Sequence, residues 1–141
     1  MPILNIHLAE GLHSDEQQRR LLIETSKAFA AGLQSSIERV RVFIETHKPQ
    51  QVAVGGVPVK ESGVSAPYFH FIVLKGRSLE ARHQLIRDFT DIIVEVLGVE
   101  RALVRGGCWP IEPEDWSIGG TPASVLRATE VAARAALSTT R

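Results

Sequence analysis

The order strand, helix, strand occurs twice along the chain, and this repetition limits the folds open to it more than any other feature. Each unit starts with a strand, at residues 2–8 and 68–74, and ends with a second strand, at residues 39–45 and 102–105. Between the strands of each unit lies a segment with apolar residues at helical spacing. Parallel strands joined by a crossover helix form a β-α-β unit. The predicted class is therefore α+β, with two fused β-α-β units that form one four-stranded sheet with two helices on one face.

Local signals indicate where the two helices begin and end. Ser14 and Gln17 have the spacing of a capping box at the start of the first helix. Ser78 predicts the cap of the second helix, and Gly98 predicts its end, because glycine is favoured just past a helix. The glycine pair at 55–56 predicts a hairpin turn.

A chain of 141 residues is long enough to form one compact domain with a buried core. Within this single domain, 1–141, we expect a first unit at 2–58, a second unit at 67–107 and a carboxyl-terminal extension at 108–141. The extension is expected to be irregular at its start. Its alanine-rich part then favours a helix that either docks on the domain or extends into solvent.

Composition argues against several classes of function. The formal net charge is zero, whereas binding to nucleic acids or anionic membranes needs a basic excess. No apolar run approaches the roughly 20 residues that span a bilayer, and no signal-peptide pattern starts the chain, so we expect a cytoplasmic protein. Cys108 is a lone cysteine, and the five histidines form no spaced ligand set, so no metal or other cofactor is expected. His70, inside an apolar strand, predicts a structural histidine in the core.

Several of these features occur together in one known group of proteins. Pro2 as the second residue, the capping box, the strand at 40–44 and the glycines at 55–56 resemble the short subunit of 4-oxalocrotonate tautomerase. The second unit and the segment at 115–119 are similar to the second half of longer, fused members, such as cis-3-chloroacrylic acid dehalogenase and malonate semialdehyde decarboxylase. The resemblance covers about residues 2 to 120. It implies the tautomerase superfamily and its MIF-like fold.

The resemblance implies roles for the amino-terminal proline and for two arginines. Pro2 matches the proline that acts as base or acid in the family once Met1 has been removed. Arg41 matches a carboxylate-binding arginine on the second strand of short members, and Arg77 matches one at the second-half turn of long members. The turn at 11–14 departs from the pattern, because it lacks the arginine that short members carry there.

The chemistry of these residue types agrees with the implied roles. An α-amino group has a pKa of about 8, and burial beside guanidinium charges lowers it toward the pH at which a base works in cells. Arg77 follows Gly76 at a helix amino terminus, a place that favours anions, and its planar group suits a small carboxylate. The alternatives are a surface pair of Arg77 with Glu80, and a retained Met1 that would leave Pro2 as a non-basic amide.

Three further residues are candidates for the same pocket. Arg105, like the arginine at 41, lies on a predicted strand, where it either binds substrate or contacts a neighbouring subunit. Asp115 either supplies an acid or caps a local turn, and Trp116 either forms a pocket wall or packs between subunits.

The resemblance, together with the chemistry of these residues, implies a tautomerase that uses Pro2 as general base on small 2-oxo (enol) carboxylic acids, with the arginines as ligands of the carboxylate. Alternatives in the same pocket are hydration, dehalogenation or decarboxylation of small unsaturated or semialdehyde acids. Phe29 stands where the dehalogenase has a histidine, which disfavours dehalogenation. A different alternative is a non-catalytic, oligomeric binding protein with this fold.

The predicted sheet has one uncovered face, which gives a reason for self-association. Helices on one side leave the other side bare, and apolar residues there need a partner surface. Long members of the resembling family pack three chains around a central barrel of sheets, so the resemblance implies a homotrimer. The expected partners are a small carboxylate substrate and further copies of the chain.

Overall fold

The computed structural model describes residues 2–139, whose elements follow one another twice in nearly the same order. In chain order they are β1 (Ile3–Ala9), α1 (Asp15–Leu33), β2 (Arg41–His47), β3 (Ala53–Val54), β4 (Val57–Pro58), α2 (Val59–Ser62), β5 (Tyr68–Leu74), α3 (Leu79–Leu97), β6 (Arg105–Ile111), β7 (Ser117–Ile118), β8 (Thr121–Pro122), α4 (Ala123–Leu126) and α5 (Ala128–Thr139). Short 3₁₀ turns precede β2, β3, β6 and β7. Among the described residues, no helix has the length and apolar character needed to cross a membrane.

Four strands form the central sheet, in the order β2-β1-β5-β6. β1 pairs with β2, and β5 with β6, in parallel, as a crossover helix in each unit requires. The two units meet through antiparallel pairing of β1 with β5, in which Ile3 lies opposite Ile72. The predicted α+β fold of two fused β-α-β units is therefore confirmed. The start of β1 lies beside the end of β5.

Both long helices pack on one face of the sheet, because alternate strand residues face the same core. On β1 this face carries Leu4, Ile6 and Leu8, none of which is more than 3% exposed. The predicted helix ends are also confirmed. Ser14 makes both hydrogen bonds of the capping box, and Gly98 ends α3 with a φ of 67°, which glycine adopts without strain.

The last strand of the sheet begins later than predicted. Residues 101–103 form a 3₁₀ turn, and β6 runs through the stretch that was expected to be irregular. Its two glycines and Pro110 disfavour a strand locally. Pairing with β5 along the whole of β6, and a place at the edge of the sheet where proline is tolerated, override this preference. The predicted end of the second unit at 107 therefore falls inside β6.

One glycine of β6 is required by the core. A Cβ at Gly106 would overlap the ring of Phe69, which is fully buried on the neighbouring β5. The aromatic ring therefore lies directly against the backbone of β6. The absence of a side chain at this position lets the edge strand pair with β5 while the ring keeps its place.

The uncovered face of the sheet carries polar as well as apolar side chains. Asn5 and Glu45 lie on it beside histidines, and three large aromatic side chains are exposed on it: Phe43 at 50%, Trp109 at 51% and Tyr68 at 40%. His70, predicted to be a core residue, lies here as well, with its ring stacked on Trp109 at 4.3 Å. The expected apolar side chains are therefore present on this face, next to polar and charged ones, because the strand register brings both kinds together there.

The carboxyl-terminal extension first repeats the end of the first unit and then docks as a helix. β7 and β8 form a hairpin with glycines at 119–120, as β3 and β4 do with the predicted turn at 55–56. α5 lies at the end of the sheet where β1 begins, and Glu130 on it pairs with Arg39 ahead of β2. Of the two alternatives for this segment, the structure shows the docked one.

Candidate active site

Pro2 lies at the start of β1, in a position held by backbone pairing. Its carbonyl accepts a hydrogen bond from the N–H of Arg41 at 3.0 Å, which extends the pairing with β2. Pro2 is buried, and beside it is a cavity of about 20 Å³, room for roughly one water molecule. The cavity is walled by the ends of α1 and β5 and by four charged side chains, Arg39, Arg77, Glu130 and Arg134.

Arg77 is the predicted arginine that the structure brings to this cavity. Gly76, with a φ of 117°, makes the turn after β5, and Ser78 caps α3. From between them, Arg77 reaches the end of α1, where its Nη1 donates a hydrogen bond to the carbonyl of Leu33 at 2.9 Å. The guanidinium group is therefore held in place by the backbone of the other unit.

Burial is the main influence on the charge of Arg77. It lowers the pKa of the guanidinium, and the positive charge of Arg134 lowers it further, while Glu130 raises it, with a resulting pKa of about 10. Arg77 therefore remains a cation at neutral pH. Because its charged form is disfavoured by burial and by the like charge nearby, an additional anion in the cavity would stabilise it.

Three charged residues at the cavity were not predicted. Glu130 lies in the first turn of α5, and both of its carboxylate oxygens accept hydrogen bonds from Nη1 of Arg39 at 3.2 Å. Guanidinium nitrogens of Arg134 and Arg127 lie 3.8 and 4.0 Å from the same carboxylate. The spacing from Glu130 to Arg134 is that of a helical ion pair and was visible in the sequence. No local signal connects either residue with Arg39.

The other two predicted arginines lie on the uncovered face of the sheet. Arg41 is exposed, with its Nη1 3.4 Å from the carbonyl of Arg39. Arg105 is level with His7 across the sheet, about 17 Å along β1 from Pro2. Neither Arg41 nor Arg105 is among the described residues that line the cavity.

The predicted acid and pocket wall also lie outside the cavity. Asp115 is exposed at the end of a 3₁₀ turn. Trp116 is half-buried, and its carbonyl accepts a hydrogen bond from the N–H of Ala123 at 2.8 Å, beside the β7–β8 hairpin. Within the part of the chain that the structure describes, the carboxylate at the cavity comes from Glu130 instead.

A larger cleft lies on the other side of Arg77. Its volume is about 630 Å³, and its walls are the end of α1, the turn between β5 and α3, and α5. Four cationic side chains line it, Lys75, Arg77, Arg82 and Arg134, and no carboxylate is found in its wall among residues 2–139. A cleft of this charge attracts small anions. Arg77 and Arg134 line both this cleft and the small cavity beside Pro2, so they lie between the cleft and Pro2.

Histidines form a second polar group at the far end of β1. Nδ1 of His7 lies 2.8 Å from Nε2 of His47, and Nε2 of His7 lies 3.0 Å from the carboxylate of Glu45. One ligand-type atom from each of the three falls within 4.8 Å of the others, so the expectation that the histidines form no such set is wrong here. Burial lowers the pKa of His7, although Glu45 opposes this. The sequence spacing did not reveal the group because strand pairing brings His7 beside Glu45.

Comparison with known sequences matches the first unit. The family model described as tautomerase enzyme matches residues 2–62. A 2-hydroxymuconate tautomerase of Pseudomonas putida is 39% identical over 61 residues, which is 43% of this chain and 95% of that protein. A probable tautomerase of Staphylococcus epidermidis is 40% identical over 57 residues, which is 40% of this chain and 92% of that protein.

Comparison with solved structures extends the likeness to both units. The crystal structure of a native fused 4-OT aligns with a TM-score of 0.82 at 25% identity, covering 89% of this chain and 98% of that one. A fused 4-OT described as an asymmetric trimer aligns with a TM-score of 0.80 at 23% identity, covering 88% and 98%. The chain therefore belongs to the tautomerase family, as an isomerase of the long form in which two β-α-β units are fused.

Proposed function

We propose that this enzyme isomerises small 2-oxo carboxylic acids and their enols, with the amine of Pro2 as general base after removal of Met1. The observation that carries the proposal is the meeting of Pro2 with three guanidinium groups at one buried cavity. Guanidinium groups suit a carboxylate and a developing enolate oxygen, and a buried amine suits proton transfer. The activity named for the Pseudomonas relative, 2-hydroxymuconate tautomerase, supports this substrate class.

In the proposed reaction, the neutral nitrogen of Pro2 removes a proton from the carbon next to the 2-oxo group. The electron pair of that C–H bond moves to the carbonyl oxygen and forms an enolate. The protonated Pro2 then returns its proton at another carbon of the conjugated system, so that no atom or electron is gained or lost. In the ketonisation of an enol acid, Pro2 instead removes the proton of the 2-hydroxyl group, the oxygen's electron pair forms the carbonyl, and the electron pair of the C=C bond accepts the proton from Pro2 at carbon. Arg77 binds the carboxylate and stabilises the negative charge of the enolate.

The surroundings of Pro2 favour a neutral amine. Burial and the nearby guanidinium groups both disfavour the protonated form of this amine. Because only the neutral amine is a base, we expect the rate to rise with pH as the neutral form becomes populated. The same cations bind the substrate, so one cluster of arginines serves both purposes.

The test is ketonisation of phenylenolpyruvate and 2-hydroxymuconate, followed by ultraviolet absorbance on protein of measured intact mass. We expect turnover of at least one substrate. Arg77→Gln should lower kcat/KM about tenfold or more, since it removes charge-assisted hydrogen bonds to the substrate. Arg87→Gln, at an exposed arginine on α3, should leave it unchanged.

Two results would contradict the proposal. Retention of Met1 in the active protein would leave the Pro2 nitrogen as an amide and exclude it as base. Failure to convert either substrate, or any other small enol acid, would favour the non-catalytic binding protein instead.

We also propose that three chains assemble through the uncovered face of the sheet. Phe43 and Trp109 are half-exposed there, and Arg41 and Arg105 lie on the same face, where they contact the neighbouring subunit in this arrangement. The trimer described for the fused 4-OT supports it. Size-exclusion chromatography with light scattering should give about three times 15.5 kDa. A monomer at micromolar concentration would rule out this assembly.

A further inference from the structure

Two cavities meet at Arg77 and Arg134, and only one of them is large enough for a substrate. The open cleft has a volume of about 630 Å³, whereas the cavity beside Pro2 has about 20 Å³. Leu33 and the two arginines belong to both walls. These three side chains therefore lie, as a partition, between a small carboxylic acid in the open cleft and Pro2.

The partition is held by a carboxylate of the chain itself. Glu130 accepts hydrogen bonds from Arg39 at 3.2 Å through both oxygens, and it lies 3.8 Å from Arg134. The exposed fraction is 41% for the side chain of Glu130, 33% for Arg39 and 19% for Arg134, so water screens their interactions only in part. Glu130 occupies the position between two guanidinium groups that a bound carboxylate would take.

The guanidinium groups around Glu130 have more donors than this one carboxylate satisfies. Nη1 of Arg134 and Nε of Arg127 are buried, and among residues 2–139 neither atom has a hydrogen-bond partner. Arg77 adds a further positive charge next to Arg134. Buried donors without acceptors, together with an excess of positive charge, indicate a place for a second anion.

We propose that Arg134 binds the carboxylate of the substrate directly, and that this carboxylate takes the place of Glu130 among the arginines. The inference rests on the proposed function at Pro2. Helix α5 is then a wall of the substrate site that opens when Glu130 is displaced. Since Arg134 lies outside residues 2–62, which match the family model, this contact is a property of the carboxyl-terminal extension.

The proposal predicts opposite effects for two neighbouring residues. Loss of the Arg134 guanidinium removes a ligand of the substrate, so binding weakens. Loss of the Glu130 charge removes a competitor of the substrate and increases the local positive charge, so binding strengthens. A merely structural role of α5 would make both changes weaken binding.

The test is isothermal titration of the full-length protein with phenylglyoxylate, a 2-oxo acid with no hydrogen on the carbon next to its oxo group. It therefore reports binding without turnover. Arg134→Gln should raise Kd about tenfold or more, and Arg134→Lys should raise it less, because lysine keeps the charge but not the paired donors. Glu130→Gln should lower Kd about threefold. The matched control Arg87→Gln should equal the parent.

Three outcomes would overturn the inference. They are no binding of phenylglyoxylate by the parent, an unchanged Kd in Arg134→Gln, and a raised Kd in Glu130→Gln, which would make Glu130 a positioning residue only. Failure of the proposed function is seen separately. In that case Pro2→Ala keeps full turnover of the enol acids, while the titrations, which do not depend on proton transfer, still report on Arg134 and Glu130.

Discussion

Pro2→Ala is expected to lower kcat/KM for the enol acids by about 10² to 10⁴-fold, the contribution typical of general acid–base catalysis. Alanine leaves a primary α-amine, which differs from the ring amine in basicity and is no longer held by the ring. The backbone pairing of residue 2 with Arg41 uses a carbonyl and is kept in the variant. The measurement is the rate of ketonisation of phenylenolpyruvate and 2-hydroxymuconate over a range of pH.

The internal repeat supplies a matched control for this substitution. Pro67 precedes β5 as Pro2 precedes β1, and its carbonyl accepts a hydrogen bond from the N–H of Arg105 at 3.1 Å. Pro67 is fully buried, but its nitrogen belongs to a peptide bond and has no basicity. Pro67→Ala should therefore keep kcat/KM close to the parent value. Equal losses in the two variants, or full activity of Pro2→Ala on every substrate that the parent converts, would exclude Pro2 as the base.

Phe89→Ala is expected to lower the free energy of unfolding by about 3–5 kcal/mol. Phe89 lies on α3, is fully buried, and meets the ring of Phe29 on α1 edge-to-face at 5.0 Å. It meets Phe71 on β5 in the same way at 5.1 Å. The substitution leaves a cavity where both helices and the sheet meet, and the surrounding elements cannot close it without losing these contacts. Urea unfolding followed by circular dichroism measures the change.

Leu79→Ala on the same helix is the control for Phe89→Ala. Leu79 is 56% exposed, so its truncation should change the free energy of unfolding by no more than about 0.5 kcal/mol. Because assembly makes apparent stability depend on concentration, parent and variants need the same protein concentration. A loss below about 1 kcal/mol in Phe89→Ala would mean that the aromatic contacts are not the centre of the core.

Elements with strong local patterns were predictable, and one with a weak pattern was not. β1 alternates apolar and polar residues, and Ser14 and Gln17 form a capping box that marks the start of α1. The first unit could therefore be predicted from local sequence patterns alone. β6 has glycines and Pro110 in its interior, and each of these disfavours a strand. It forms because β5 offers a partner along its whole length. A strand propensity summed over a short stretch of sequence does not include the stabilisation that comes from pairing with β5.

The residues of the candidate site likewise fall into those that the sequence predicted and those that it did not. Pro2 and Arg77 were predicted, because the resemblance assigns a role to each. Pro2 also stands at the start of a strand, and Arg77 at a turn that is followed by a helix cap. Three charged residues of the cavity were missed, namely Arg39, Glu130 and Arg134. Within its own segment, each has the pattern of an ordinary charged surface residue. Arg41 was predicted from the resemblance and Arg105 from its place on a strand, but the direction of both side chains depends on which sheet face is covered.

The sequence by itself determined the alternation of the strands, the ends of the helices and hence two β-α-β units, because these depend on residues a few positions apart. Only the tertiary structure decided which segments meet. Arg39 and Glu130 are 91 positions apart, and they pair because docking of α5 brings the extension to the start of β1. Such long-range contacts are selected by burial and charge summed over the whole fold. No single segment carries enough of either to specify its distant partner.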